Sequence, residues 1–333
     1  MRNARGSVLI LSLWALSMLA VFSVSLGVGA RQKASLLNRI ETEIELHAIA
    51  SAGVMKASGF LKQISANPAQ YDSFNSPWAS DKAFFRDIAV GSGMCSVMSG
   101  KRFGLEDENS KIPLNTADQP TLARLIKLAG GADAETAEAI AYAIVDWRDT
   151  DSMLSHPQMG AEDSDYADLR SPYEAKDAPF EVIDELLLVK GLTRPIFDKI
   201  KGYLTPCPIG HVNIHTAPRE VLVALGIEER IVDKILIFRK GGDEEEGTAD
   251  DGYFAQVTTV VSILTTLYSL NEADQGSLNT LISNGALGTT STYFTALCQA
   301  KLERNGSRLN MEATMDTEGK IISMRPGPIE WPV

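Results

Sequence analysis

The N-terminal apolar segment restricts the fold of this chain more than any other feature of its sequence. Ser7 to Ala30 is a run of 24 residues without a charged side chain, and Arg31 ends it. At about 1.5 Å per residue, a helix of this length crosses a hydrocarbon core of about 30 Å. The segment therefore predicts one transmembrane helix.

The charges around this segment predict its orientation and its processing. Arg2 and Arg5 lie on its short N-terminal side, so the positive-inside rule leaves a few residues in the cytoplasm and about 300 residues across the membrane. In a bacterium, that compartment is the periplasm. The polar-to-apolar junction is Arg5-Gly6-Ser7, ahead of the apolar run, whereas a secretory signal peptide is cut after its apolar run. A peptidase that cuts at this junction leaves the hydrophobic helix on the mature protein.

The helical pattern continues beyond the membrane segment. No proline interrupts residues 7 to 67, and apolar or small side chains recur at helical spacing from Leu37 to Met55. This pattern predicts a stem helix that ends in a loop at Asn67-Pro68.

Both ends of the chain predict a sheet that packs on this stem. Residues 292–302, 307–315 and 320–325 have the composition of strands, and Asn305-Gly306 and Glu318-Gly319 between them are hairpin signals. A further strand is predicted near residues 94–103. The predicted fold class is therefore α+β: a long N-terminal helix packed on a small antiparallel sheet, with the middle of the chain inserted between its strands.

The middle of the chain predicts helices and contains an internal repeat. Residues 113–122 and 213–222 share Thr-Ala and a final leucine, 100 residues apart. In each copy the threonine, Thr116 or Thr216, is predicted to N-cap a short helix. Periodicity predicts further helices at residues 134–147, 180–189, 193–204, 228–239 and 256–283, with an acidic loop at residues 241–252. The inserted region is therefore predicted to be all-helical.

The cysteine content is limited to Cys95, Cys207 and Cys298. In an oxidising compartment, this number predicts one disulfide and one remaining thiol. The sequence leaves open which two cysteines pair. It also leaves open three buried, unpaired cysteines.

Acidic side chains are concentrated in one stretch. Residues 133–185 hold fifteen acidic residues against three basic ones, and this difference equals the net charge of −12 of the whole chain. Oxygen donors clustered in irregular backbone are the ligands that calcium takes, although the EF-hand spacing is absent here. One interpretation is a calcium site, and the other is a solvated acidic surface. The candidate calcium ligands are Asp149, Asp151, Glu162, Asp163 and Asp165.

Enzymatic functions find little support in the sequence. It contains no Gly-x-Ser-x-Gly, no His-Glu-x-x-His and no phosphate-binding loop. Cys207 and His211 have no second ligand pair at zinc-site spacing. The chain is therefore predicted not to be an enzyme.

A series of motifs in a fixed order carries a family resemblance. The motifs are Gly104-Leu-Glu-Asp-Glu108, Leu114-Asn-Thr-Ala117, Ile144-Val-Asp-Trp-Arg-Asp-Thr-Asp151, Gly160-Ala-Glu-Asp-Ser-Asp-Tyr166, Pro172-Tyr-Glu-Ala-Lys176, Pro179-Phe180, Glu185-Leu-Leu-Leu-Val-Lys-Gly191 and Asn213-Ile-His-Thr-Ala217. With them, the chain resembles the minor pseudopilin of type II secretion called general secretion pathway protein K. The resemblance implies a pilin-like fold with an inserted domain of helix-hairpin-helix or SAM-like units, and calcium-binding loops in these subunits.

The resemblance also implies a division of the chain. Its parts are a prepilin leader (1–6), a transmembrane and stem helix (7–66), a first pilin-like part (67–111), an inserted helical domain (112–240) and a second pilin-like part (241–333). In that family the prepilin peptidase cuts after the glycine, here Gly6, and the new N-terminus, here Ser7, is methylated. Most pilin-like subunits carry a glutamate at the fifth mature position, which is Leu11 in this chain.

The function implied by the resemblance is structural. Without a carboxylate at Leu11, no ion pair has to be completed by a neighbouring subunit above, which is interpreted as the mark of a subunit at the filament tip. The implied role is to cap the pseudopilus, which exports folded proteins across the outer membrane. The implied partners are the minor pseudopilins I, J and H, the major pseudopilin, the prepilin peptidase and the inner membrane. The sequence leaves open whether the filament belongs to type II secretion or is a related pilus or competence filament.

The alternative is a membrane-anchored DNA-binding protein of a competence or pilus system. The Asn-Thr-Ala element and the Leu-Val-Lys-Gly turn are similar to parts of helix-hairpin-helix modules, which bind phosphates with backbone amides of a Gly-rich hairpin. Residues 112–150 hold three basic against six acidic residues, and such a surface repels phosphates. No nucleic acid is therefore expected as a partner.

Overall fold

The computed structural model describes residues 5–66, 69–167 and 169–327. The predicted loop at Asn67-Pro68 and the first four residues of the leader lie outside the described residues. The helices are α1 (Arg5–Ser65), α2 (Pro77–Ser80), α3 (Lys82–Phe85), α4 (Gln119–Leu125), α5 (Ala134–Arg148), α6 (Asp163–Ala167), α7 (Arg194–Ile200), α8 (Arg219–Ala224), α9 (Glu229–Lys240), α10 (Val260–Tyr268) and α11 (Glu272–Ser283). The strands are β1 (Ile88–Val90), β2 (Gly93–Ser99), β3 (Arg102–Phe103), β4 (Glu106–Asp107), β5 (Ile112–Pro113), β6 (Leu204–Thr205), β7 (Val212–Asn213), β8 (Leu287–Gly288), β9 (Tyr293–Leu302), β10 (Arg308–Asp316) and β11 (Ile321–Pro326).

The first half of α1 meets no core. From Val8 to Leu26 its large apolar side chains are between 62% and 72% exposed. By length and composition, α1 is the one helix in the described part of the chain that is suited to cross a membrane. This agrees with the predicted transmembrane segment.

The second half of α1 packs on an antiparallel sheet. The strand order is β1-β2-β9-β10-β11, with β3 paired to β2 and β4 paired to β9. Alternating side chains of these strands bury one face under α1, where Leu46, Val54 and Leu61 supply the helical side of the core. The predicted α+β fold is confirmed, including the use of strands from both ends of the chain.

A second core belongs to the inserted helical domain, which consists of two tandem units. The first unit begins at β5 and is closed by β6, which pairs with it in parallel. The second begins at β7 and is closed by β8 in the same way. The units correspond to the two copies of the sequence repeat. The first contains α4 to α7, and the second contains α8 to α11.

The helical domain is longer than predicted, and the predicted boundary at residue 240 is wrong. Phe254, Leu264 and Leu278 lie beyond this boundary and are buried in the same core as Leu122 and Ile144. The acidic loop at residues 241–252 is therefore a connection within the second unit. Its polar, Gly-rich sequence indicates exposure but carries no information about which core the following helices join.

Several predicted helices are also shorter or differently capped. Residues 180–189 form only a 3₁₀ helix at Ile183–Leu188, and the stretch 256–283 is broken at Ser269, where φ is 53°. The N-cap of α4 is Asp118, whose carboxylate accepts a hydrogen bond from the Thr121 amide. α8 starts after Pro218, so the two repeat threonines do not act as N-caps. The segments at residues 113–117 and 213–217 form tight turns instead.

Buried polar contacts join the helical domain to the sheet. The Asp107 carboxylate, at the end of β4, accepts hydrogen bonds from Asn213 Nδ2 and Thr216 Oγ1 in the second helical unit. It also accepts one from Ser291 Oγ, just before β9. Burial raises the pKa of Asp107 to about 7, although the hydrogen bonds from Thr216 and Ser291 act in the opposite direction.

Gly53 sets the distance between α1 and the sheet. A Cβ atom at Gly53 would lie 2.5 Å from Cys298 Sγ and 2.7 Å from Cys95 Sγ. Carbon and sulfur atoms in contact need more room than this, so the close approach depends on the absence of a side chain at this position.

We expect Gly53→Ala to lower the free energy of unfolding by about 1–3 kcal/mol, because it overpacks a filled core. Gly59→Ala is the matched control, since Gly59 lies on the same helix with nothing near its Cβ position. At position 59, alanine is a better helix former than glycine and should raise the free energy of unfolding by up to about 1 kcal/mol. Urea unfolding of the full chain in detergent, followed by tryptophan fluorescence, measures both; equal midpoints for the two variants would contradict this account of Gly53.

Candidate functional site

An arginine at the end of the second helix of each unit anchors the start of that unit. Arg148, at the end of α5, donates to the carbonyl oxygens of Leu114 and Ala117. Arg239, in the last turn of α9, donates to Ala217 O at 2.6 Å and to Ile214 O at 3.4 Å. A guanidinium can bind two carbonyls at once because its donors form a rigid planar fork. Each arginine therefore fixes the point from which an acidic loop leaves its helix.

Three carboxylates meet beside the end of α5. One oxygen from each of Asp149, Asp151 and Glu162 lies within 4.8 Å of the others. Glu162 is 5% exposed. Neither of its carboxylate oxygens has a hydrogen-bond partner, and Asp149 Oδ1 is likewise buried without one. Buried acceptors are nearly always paired in folded proteins, so this group lacks a positively charged or hydrogen-donating partner.

The electrostatic environment disfavours the charged forms of these groups. Burial, followed by the charges of Asp146 and Asp149, raises the pKa of Glu162 to about 7. Burial and the charge of Asp151 also raise the pKa of Asp149. The nearby cations are engaged elsewhere: Lys190 pairs with Asp165 and Lys176 with Glu185.

Asp146 shapes the loop that carries Glu162. This buried side chain accepts hydrogen bonds from Ser155 N at 2.9 Å and Ala161 N at 2.7 Å. Gly160 lies against the same carboxylate, where a Cβ atom would clash. Asp146 therefore holds both ends of the loop close to α5 and adds negative charge to the site.

Sequence reasoning missed Asp146 and Asp177 as parts of this site. Asp177 has a φ of 49° and a buried Oδ1 without a partner, and its charge raises the pKa of both Asp149 and Glu162. The quoted motif around Trp147 contains Asp146 and could have indicated it. Asp177 lies 15 residues after Glu162, and the path of the chain brings it near.

Asp163 and Asp165 lie outside the group of three carboxylates. Asp163 accepts a hydrogen bond from Ala175 N at 2.8 Å. Asp165 accepts one from Glu162 N and forms an ion pair with Lys190 at 2.7 Å. Both carboxylates start α6 and stabilise the turn that places Glu162.

This arrangement suits a hard divalent cation. Asp149, Asp151 and Glu162 offer carboxylate oxygens from irregular backbone, which is the donor type that calcium prefers. A cation bound there would compensate the unpaired buried oxygens and the clustered negative charge. These three residues would hold it, and Asp146 would orient the loop.

The remaining predicted site residues lie in other parts of the molecule. Gly6 and Ser7 lie in the first turns of α1, and the Leu11 side chain is exposed. Cys95 and Cys298 are buried under α1, whereas Cys207 follows β6 in the helical domain. No disulfide joins any two of them in the structure.

The fold combines a membrane-length helix that packs on an antiparallel sheet with a helical domain inserted between the strands of that sheet. Residues 102–208 match the family model described as "Type II secretion system (T2SS), protein K". The structure is similar to a chain of the crystal structure of the GspK-GspI-GspJ complex from the enterotoxigenic Escherichia coli Type 2 Secretion System. That match has a TM-score of 0.65 at 20% identity, and it covers 89% of this chain and 99% of that chain.

The predicted resemblance to protein K is confirmed by these comparisons. The comparisons support a minor pseudopilin of the type II secretion system, and α1 is long and apolar enough to cross a membrane. Pseudopilins are structural subunits rather than a known enzyme family, and the DNA-binding alternative is not favoured. No curated protein sequence matches the chain.

We expect Arg148→Lys to lower the free energy of unfolding by about 1–3 kcal/mol, because an ammonium cannot reproduce the two-carbonyl contact. Arg170→Lys is the control, since Arg170 is exposed in the same acidic stretch. Chemical denaturation of the full chain measures the difference. If both variants unfold at the wild-type midpoint, Arg148 does not anchor the unit.

Proposed function

We propose that the chain caps the periplasmic tip of the type II secretion pseudopilus, as the protein K of its system. The observation that carries this proposal is a pilin-like sheet split by a large helical domain, with residues 102–208 matching the protein K family model. The chain has no catalytic function in this role. It acts by its shape and by the subunits that it contacts.

The membrane helix supports a terminal position. Leu11, at the fifth mature position, is 71% exposed on α1. A leucine at this position needs no ion pair with the N-terminal amine of a neighbouring subunit, whereas a glutamate in an apolar bundle would need one. The two helical units widen the end of the subunit opposite to the membrane helix. A subunit of this width fits poorly inside a helical filament.

Partners are proposed from the fold match and the family resemblance. The similar chain comes from a complex with GspI and GspJ, and we propose that the corresponding pseudopilins I and J of this system bind this chain. Pseudopilin H and the major pseudopilin would follow below them in the filament. Before assembly, the prepilin peptidase would cut after Gly6 and methylate Ser7, while α1 holds the subunit in the inner membrane.

We expect Gly6→Ala to abolish both processing and complex formation. Mass spectrometry should find Ser7 at the N-terminus of the wild-type chain and Met1 at that of the variant. Only the wild-type chain should co-purify with pseudopilins I and J from detergent extracts. Gly27→Ala is the control, because it makes the same change inside the apolar helix, where nothing contacts the new Cβ.

Two outcomes would contradict this proposal. An intact Met1 on the wild-type chain would exclude prepilin processing. A correctly processed wild-type chain that does not bind I and J would exclude the proposed tip complex while leaving the pseudopilin class intact.

We also propose that calcium is the cation held by Asp149, Asp151 and Glu162. The unpaired buried oxygens support this, since the site otherwise gathers negative charge without compensation. Calcium would fix the acidic loop on α5 and thereby stiffen the first helical unit. Its chemistry there is structural, because Ca²⁺ supplies charge compensation and coordination.

Calcium should reverse the order of stability of wild type and Glu162→Gln. In chelator above about pH 7, the variant should melt at a higher temperature, because it lacks a buried negative charge. In calcium, the wild type should melt at the higher temperature. Glu174→Gln is the control, since it removes an exposed charge from the same stretch without affecting the site.

The same site predicts a pH dependence. The pKa of Glu162 in the folded chain, about 7, exceeds its ordinary value of 4.5. The contribution of Glu162 to the free energy of unfolding is therefore fully present below about pH 4.5 and is lost as the pH rises through about 7. Calcium should abolish this loss. The three proteins compared are the wild type, Glu162→Gln and Glu174→Gln. If calcium changes the melting temperature of none of them, the calcium site is excluded.

A further inference from the structure

Two of the three cysteines lie side by side under α1. In the antiparallel pair formed by β2 and β9, Cys95 is opposite Ala300 and Val97 is opposite Cys298. The two cysteines are therefore diagonal neighbours, two residues apart in register, on the same face of the sheet. Both are completely buried.

The position of Gly53 shows how close the two sulfur atoms are. A Cβ atom added to Gly53 on α1 would lie 2.5 Å from Cys298 Sγ and 2.7 Å from Cys95 Sγ. Both sulfurs therefore occupy the space that a side chain at Gly53 would need. Diagonal neighbours in an antiparallel pair are about 7–8 Å apart, so the two strands have to shift slightly towards each other when the sulfur atoms bond.

Cys207 is separated from this pair. It follows β6 in the helical domain, where its amide donates to Thr205 Oγ1. Burial and the nearby charge of Glu108 raise the pKa of its thiol to about 11. The thiolate is the reactive form of cysteine, so this environment disfavours exchange at Cys207.

We propose that Cys95 and Cys298 form a disulfide when the chain folds on the periplasmic side, and that Cys207 remains a free thiol. This inference rests on the proposed periplasmic position of the sheet domain. It selects one of the three pairings that the sequence leaves open. It also explains the close contact at Gly53, which gives both sulfurs room beneath the helix.

The bond forms by thiol–disulfide exchange with a periplasmic dithiol oxidoreductase. The thiolate of one cysteine attacks the disulfide of the oxidant and gives a mixed disulfide, with release of one oxidant thiolate. The second cysteine, as its thiolate, attacks the sulfur of the first, so that the new S–S bond forms and the oxidant leaves as a dithiol. The chain loses two protons and two electrons, and the oxidant takes them up.

Exchange has to occur before α1 covers the sheet, because both cysteines are buried afterwards.

The location of the bond gives it a specific structural effect. Cys95 precedes the inserted domain and Cys298 follows it, so the bond closes a loop of about 200 residues that contains both helical units. Strands β2 and β9 would stay in register even if the helical domain opened. The bond would thus preserve the split sheet on which α1 packs.

Thiol counting on the full chain tests the pairing. Cells that make the chain with its membrane helix are lysed in denaturant with a maleimide reagent and no reductant, and labelled thiols are counted by mass. The wild type should carry one label, Cys207→Ser none, and Cys95→Ser or Cys298→Ser two each. Peptide mapping of the wild type should show Cys95 joined to Cys298. Reduction of the wild type should lower its melting temperature by roughly 5–10 °C, whereas Cys207→Ser should leave it unchanged.

A second experiment separates failure of this inference from failure of the periplasmic placement. The full chain is reduced, unfolded in detergent, and refolded in a mixture of reduced and oxidised glutathione. If Cys95 and Cys298 pair there but three free thiols are found in cells, the sheet domain does not reach the oxidising compartment. Refolded chains with three free thiols, or with Cys207 in a bond, would overturn the proposed pairing itself.

Discussion

A buried carboxylate holds together the three parts of this chain. Asp107 lies before the inserted domain and binds side chains within it, Asn213 and Thr216, and after it, Ser291. A carboxylate without partners at this depth would cost several kcal/mol, so each donor has to be in place when the chain is folded. The sheet, the second helical unit and the return of the chain to β9 therefore depend on one another.

The two helical units show how the same scaffold leads to different chemistry. In each, an arginine at the end of the second helix precedes an acidic loop. In the second unit the loop satisfies its own charges: Glu246 pairs with Arg239, and Asp250 accepts hydrogen bonds from Gly242 N and Thr248 Oγ1. In the first unit, Arg148 contacts carbonyls only, and the carboxylates beside it face one another. That difference makes the first loop the candidate cation site.

Much of the fold could be predicted because it depends on local signals. The uncharged run after Ser7, the helical periodicity of the stem and the hairpin signals near Gly306 and Gly319 each specify an element without help from the rest of the chain. The limits of the helical domain could not be predicted in this way. Helices α10 and α11 are amphipathic in either context, and burial of Leu264 and Leu278 in the helical core is decided by packing. The site shows the same limit, since the sequence indicated Asp149, Asp151 and Glu162 as candidate ligands but did not indicate Asp146 and Asp177 as parts of the site.

By itself, the sequence determined that the chain has one membrane-length helix, an antiparallel sheet built from both ends and an acidic helical insertion. It did so because hydrophobic length, periodicity and turn residues act over short distances along the chain. Only the tertiary structure decided which of the candidate carboxylates meet, which cysteines lie together under Gly53 and where the insertion ends. These depend on contacts between residues up to about 200 positions apart, and such contacts leave no local pattern in the sequence.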